Sequence, residues 1–234
     1  MPPKASTKRA RAPTVSDTQP SKRQAAAASK PAVDLNVALA TLSDTSLRQL
    51  VSAQINLEPT SDLAEAIRNE YTRIIAQRSA TVVDFDHHSK SVWRELNLSH
   101  SKKSSRWQFE AAGDAEGVVS DAIRSISQTA TESGANKGTR ENALTTLRKI
   151  GKTICLAGDQ LGSEVRDGYC CTELVGAMKA VMEGMSMAER EAFFEAGDFV
   201  EKLEELEQLS EGYGIMTGLS ELFDLAGYGE EDED

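Results

Sequence analysis

No apolar run in this chain approaches the roughly twenty residues needed to cross a bilayer, and its first residues lack the apolar core of a secretory signal. A soluble, intracellular protein is therefore expected. Cysteine is scarce: there are three in 234 residues, Cys155, Cys170 and Cys171. An odd number with two adjacent makes no disulfide framework and suits a reducing compartment. Histidine also occurs only three times, and no CxxC or HxxxH spacing is present, so a zinc site has little to be built from. Aromatic residues make up 5% of the chain. Strand-like stretches are missing too, apart from Ala80 to Val83, where Thr81, Val82 and Val83 allow a short strand or an extended link. No segment recurs at a fixed period, which argues against a solenoid.

Charge is present in quantity and is unevenly placed. Residues 1–32 hold Lys4, Lys8, Arg9, Arg11, Lys22, Arg23 and Lys30 against Asp17, a net of +6. With one Val and no Leu, Ile or aromatic residue, this arm cannot offset the entropy of ordering, and it is expected to be disordered. The remaining residues carry 19 basic and 36 acidic side chains. So acidic a body repels polyphosphate, and nucleic acid, if bound, is bound through the arm. Lys8-Arg9 and Lys22-Arg23, with Arg11 beside the first pair, have the spacing of a bipartite nuclear import signal; they predict a nuclear location and an import carrier as partner. The chain ends in Glu230-Glu231-Asp232-Glu233-Asp234, a solvated acidic tail.

From residue 33 to 226 apolar side chains return every third or fourth position, which predicts an all-α, multi-helix bundle of eight or nine helices. The clearest is Thr139 to Gly158. There Ala143, Leu144, Leu147, Ile150, Gly151 and Ile154 share one face, Thr139 is placed to cap, and Gly158 to turn the chain off. Such a helix, roughly 30 Å long, needs partners on its apolar face, so the others should pack around it. Before it, Asp44 is placed to cap a helix with Leu47, Leu50, Val51 and Ile55. Thr60 or Ser61 opens another carrying Leu63, Ile67, Tyr71, Ile74 and Ile75. Asp84 starts a third, through Val92 and Leu96. A polar loop, Ser99 to Ser105, precedes a helix carrying Phe109, Ala112, Ala115, Val119, Ile123 and Ile126, whose small residues, Gly113 and Gly117 among them, predict a close helix crossing. After 158–168, irregular or one short turn, come helices with Leu174, Met178, Val181 and Met182, with a capping box at Ser186-Met187-Ala188-Glu189, with Leu203 and Leu206 behind Asp198, and with Leu219 and Leu222 after Thr217.

Several groupings invite chemistry and do not sustain it. Ile150-Gly151-Lys152-Thr153 resembles the end of a phosphate loop, yet Thr146 stands where its first glycine belongs and a helix precedes it. His87, His88, His100, Cys170 and Cys171 are the only metal-type ligands, and neighbours on a helix point about 100° apart. Cys155 reads as core packing rather than a nucleophile. Trp93 and Trp107, on either side of the polar loop, read as core anchors before partner contacts. Met178, Met182, Met185 and Met187 read as core. No enzyme, metal or cofactor is expected. One surface remains: Arg148, Lys149 and Lys152 make the long helix basic on its outer side, a partner-binding face for an acidic protein or for the chain's own tail.

Two stretches, VVDFDHHSKSVWRELN (82–97) and ENALTTLRKIGKTICLAGDQLGSEVR (141–166), together with the basic arm and acidic end, resemble a family of small fungal proteins of no assigned activity. The order of parts, with Leu47-Arg48-Gln49-Leu50 in a short Leu-rich helix, is similar to the nuclear proteasome tethering factor family. That resemblance implies an arm whose lysines, Lys4, Lys8, Lys22 and Lys30, bind proteasomes, and a bundle that localises them. The expectation is a non-enzymatic nuclear adaptor of unidentified protein partner, with the proteasome tether and the arm-borne nucleic-acid binder as alternatives.

Overall fold

The computed structural model describes residues 39–227. The import-signal residues Lys8, Arg9, Arg11, Lys22 and Arg23 and the acidic end lie outside them. The chain divides into two compact units, Met1–Pro59 and Thr60–Asp234. Among the described residues there is no strand: they hold ten complete α-helices, one π-helical turn and, at Leu39 to Thr41, the end of a further helix. The fold is all-α, and the element count exceeds the eight or nine that periodicity predicts. The additions are Asp159–Arg166, an eight-residue helix where irregular chain is expected, and the π turn Glu95–Ser99.

In the first unit, α1 (Asp44–Leu57) is capped by Ser43 rather than Asp44, the Ser43 Oγ accepting from the Ser46 amide at 3.2 Å. None of its residues is buried. The second unit begins with α2 (Asp62–Ala80), capped by Ser61. Leu63, Ile67 and Tyr71 remain exposed on it, and it is fastened at its far end, where Arg78 pairs with Glu132 at 2.9 Å and Ser79 Oγ donates to the Gly134 carbonyl at 3.2 Å.

The β-branched link after α2 is extended but pairs with no strand. Its backbone polar groups are met by side chains of the long helix instead. Thr139 Oγ1 accepts from the Val83 amide at 3.0 Å and donates to the Thr81 carbonyl, and Asn142 donates to the Val83 carbonyl. Thr139 is therefore buried inside its helix and does not cap it. The cap is Asn136, whose Oδ1 accepts from the Gly138 amide at 2.7 Å.

There follow α3 (Asp86–Arg94), the π turn, α4 (Ser105–Thr131), α5 (Lys137–Leu156), α6 (Asp159–Arg166), α7 (Cys170–Glu183), α8 (Met187–Glu195), α9 (Phe199–Glu211) and α10 (Ser220–Ala226). Helix α5 is the hub, touching α3, α4, α6, α7 and α9. Leu144, Leu147, Ile150 and Ile154 have no exposed surface, and the periodic face is widened by buried Thr146 and Arg148, as suits a helix with neighbours on several sides. Gly151 lets α7 and α9 close on α5: a Cβ there would stand 2.8 Å from Leu174 and 3.0 Å from Leu206. That placement in a helix interior also removes any phosphate-loop reading of the Gly-Lys-Thr that begins there. Leu156, which falls off the periodic face, is 57% exposed.

At the end of α5 the chain departs from expectation. Gly158 has φ −85 and serves as N-cap of α6, while Asp159 takes the left-handed conformation, φ +59. In α4 the inward position falls on Gln108, not Phe109, which is 59% exposed. Burial of an amide needs partners. Gln108 has them: Nε2 donates to the carbonyls of His100 and Lys103, and Oε1 accepts from the Gln160 amide. Of the small residues expected at a close crossing, Gly113 and Gly117 take no part, since a Cβ at either would meet nothing within 4 Å, whereas Ala111 and Ala115 are buried in the packing. Helix α4 buries Ala111, Ala115, Val119, Ala122 and Ile126 and packs against α6 and α7.

The capping box at α8 is formed, with Ser186 accepting from the Glu189 amide and the Glu189 carboxylate accepting from the Ser186 amide at 2.8 Å. Met178, Met182 and Met185 are core, whereas Met187 is 67% exposed. Asp198 holds the N-cap place of α9 without a side-chain cap bond, because its carboxylate pairs with Lys202. The last helix starts at Ser220 rather than Thr217.

A candidate partner-binding groove between α3 and α5

Of the three cations proposed as a basic face, none stands alone. Arg148 is only 7% exposed. Its guanidinium donates to the Lys202 carbonyl at 2.9 Å and to the Glu205 carboxylate on α9. Lys152 reaches the other oxygen of that carboxylate. Lys149 turns the other way, to Asp86 Oδ1 at 3.0 Å, while Lys90 takes Asp86 Oδ2 at 2.7 Å. Two carboxylates, one on each flank of α5, are thus each shared by two cations. These ties fasten α3 and α9 to the hub.

Lys90 and Lys149 hold the Asp86 carboxyl well below the usual carboxylate range by hydrogen bonds, Lys90 contributing first. A carboxylate whose pKa is lower folded than unfolded stabilises the fold above the unfolded value, about 4, and loses that contribution as pH falls toward the folded one. In a carboxyl NMR titration Asp86 should therefore titrate below ordinary aspartates, and Lys149→Ala should move it part of the way back. A midpoint at the ordinary value in the unsubstituted chain would show that the bridge does not form in solution.

Along the seam of α3 and the second half of α5 runs a groove. One part, about 440 Å³, is bounded by Lys90, Trp93, Arg94, Leu98, Lys149 and Thr153. It continues past Trp93 into a second part of about 280 Å³, reaching Asn97, Lys152 and Leu156. Trp93, Leu98 and Leu156 are each half exposed or more. The placement of Trp93 overturns the expectation of a core anchor. Val92, its neighbour, takes the buried position of α3, and a residue about 100° round the helix points outward. Trp107 is exposed as well, with Lys103 Nζ 5.7 Å from its ring centroid.

Arg94 is exposed and, among the described residues, pairs with no carboxylate. Around the groove stand Lys90, Arg94, Arg148, Lys149 and Lys152, all but Arg94 paired with Asp86 or Glu205, and with Asp84 and Asp198 farther off. This local cationic excess sits in a decidedly acidic body. Lys149 and Lys152, which the sequence singles out, line this groove; Trp93, read there as a core anchor before a partner contact, lines it too, whereas Arg94 and Leu98 are not singled out. The signal available was the apolar side chain next to a residue already claimed by the core.

The other groupings are quieter. Among the described residues no three His, Cys, Asp or Glu side chains are placed to hold a metal. His87 is exposed and stacks on the half-buried His88, their ring centroids 4.0 Å apart, and burial lowers the His88 pKa. All three cysteines are free and buried. Burial pushes the Cys155 thiol up to about 11, which keeps it protonated and a poor nucleophile at neutral pH. The Cys170 thiol is also held high, by its hydrogen bond with Cys171 and by burial. Among the described residues no helix is long and apolar enough to cross a membrane. Compared with protein-family models, curated proteins and solved structures, the chain matches none.

Proposed function

We propose that this chain is a non-enzymatic adaptor of the nucleus: the basic arm carries it through import, and the helical body holds a protein partner. The observation that carries the second half is the contiguous display of Trp93, Leu98 and Leu156 along one groove. Large apolar side chains gathered at a concave surface and rimmed by polar ones are the composition of a binding site, and tryptophan is the side chain that most often supplies its energy. The arm's part rests on the spacing of Lys8-Arg9 and Lys22-Arg23.

The test uses the full chain as bait in nuclear extract, beside Trp93→Ala/Leu156→Ser and a version lacking residues 1–32. A partner retained by the intact chain, retained without the arm and lost from the groove variant is the expected result. The same set captured by the groove variant would remove the groove from consideration. Proteasome subunits that depend on the arm would favour the tether instead, and salt-sensitive nucleic acid that depends on the arm would favour that alternative. In cells, replacing Lys8, Arg9, Lys22 and Arg23 by Ala in a fluorescent fusion should abolish nuclear accumulation.

A further inference from the structure

The groove also has a chemistry that selects among partners. We infer that it receives an acidic peptide segment of a partner protein carrying a large apolar side chain, which lodges against Trp93 between Leu98 and Leu156 while flanking carboxylates meet Arg94, Lys90 and Lys149. The inference rests on the adaptor reading and narrows it.

Charge complementarity supports the acidic half. The carboxylates that pair with the groove's cations are already shared, Asp86 between Lys90 and Lys149 and Glu205 between Arg148 and Lys152; Asp84 and Asp198 act on Lys90 and Arg148 from farther off, which leaves a small cationic excess centred on Arg94. Arg94 sits in the groove wall with no carboxylate partner among the described residues. A guanidinium presents two parallel N–H donors in a fixed plane, the geometry that a carboxylate fits in bidentate fashion. A lysine already sharing a carboxylate has donors left over, since an ammonium carries three.

The apolar half comes from Trp93. Its indole lines both parts of the groove and links them, so an anchor seated there loses water on several sides at once. Two helices form the walls, and the described residues offer no strand edge for β-addition. A long polyanion is the poorer fit: beyond this patch it would face a body with 36 acidic against 19 basic residues from residue 33 onward. A short segment avoids that repulsion.

Fluorescence anisotropy on the full chain tests the inference. The probe is a short fluorescein-labelled peptide of Glu and Asp with one Phe and one Leu. Comparison ligands are the same peptide with both anchors replaced by Ala, a Lys-for-Glu counterpart, and a single-stranded oligonucleotide. Saturable binding of the acidic, anchored peptide is expected. Trp93→Ala and Arg94→Glu should each weaken it about tenfold or more, as removal of a central contact does. Raising salt should weaken it further, because exposed charges are screened. Circular dichroism of both variants should match the unsubstituted chain, since both positions are exposed.

Equal binding by the two variants, or equal binding of the Ala-substituted peptide, overturns the inference. So does any result that gives the groove to another occupant: an oligonucleotide bound at Trp93 in the chain without its arm, self-association lost in Trp93→Ala, or probe binding that appears only when residues 228–234 are removed. If the groove variant loses its nuclear partner in the capture experiment while the acidic probe fails to bind, the adaptor reading stands and the acidic chemistry falls. If the groove variant keeps its nuclear partner and the acidic probe also fails to bind, both fall.

Discussion

Leu147→Ala should lower the unfolding free energy by about 2–5 kcal/mol, the range for truncating a fully buried leucine in a core that relaxes only in part. Leu147 has no exposed surface and lies on α5, which touches α3, α4, α6, α7 and α9. A helix packed on several sides leaves its buried side chains little room to resettle into a void without loosening packing elsewhere. The upper part of the range is the expected outcome, measured as a shift in urea midpoint at unchanged slope. Arg94→Glu, exposed and without an ion pair among the described residues, should change stability by about 0.5 kcal/mol or less in the same assay. If Leu147→Ala cost no more than the surface change, α5 would not be the hub described.

The second large effect runs against helix propensity. Alanine is favoured over glycine in a helix by about 1 kcal/mol, so Gly162→Ala within α6 would ordinarily stabilise. Here the added Cβ would stand 2.4 Å from the Ala157 carbonyl oxygen and 2.6 Å from its carbon, both backbone atoms. Backbone cannot swing aside as a side-chain end can, and the chain at this point is already committed by the left-handed Asp159. The steric term wins, and a net loss of about 1–3 kcal/mol is expected, the usual cost of forced overpacking. Gly117→Ala in α4 is the matched control. Its Cβ would meet nothing within 4 Å, so the propensity term should act alone and raise stability. Opposite signs for two identical replacements would establish that α6 folds back tightly on the end of α5; equal signs would contradict it.

What could be read without coordinates, and what could not, divides along a physical line. Features set by neighbours in sequence were legible. The face of Leu144, Leu147, Ile150 and Ile154 and the reciprocal cap of Ser186 and Glu189 depend on helical spacing alone. Features set by distant chain were not. Gln108 displaces Phe109 from the core because two carbonyls in the preceding loop and an amide more than fifty residues on satisfy its side chain. Thr139 leaves the cap because the β-branched link runs past it and needs its hydroxyl. Arg148 is buried because Glu205, from another helix, meets it. The groove was half legible for the same reason: three of its cations, Arg148, Lys149 and Lys152, lie on α5, where the pattern was strong, whereas Trp93 and Arg94 lie on a short helix in which one residue of rotation decides between core and surface.

The π turn that closes α3 carries a consequence for descent among related chains. An α-helix advances about 100° per residue, and a π turn holds an extra residue within one wide turn. Loss of one residue between Glu95 and Ser99 would turn the wide turn into a regular α-helical one and re-aim the side chains within it, Leu98 among them, which shares a seam with Trp93. A single codon deleted in some lineage would thus reshape the proposed groove at Leu98 while the helices around it kept their packing, so under the adaptor reading indels in this five-residue window should track exchange of partner rather than loss of the protein.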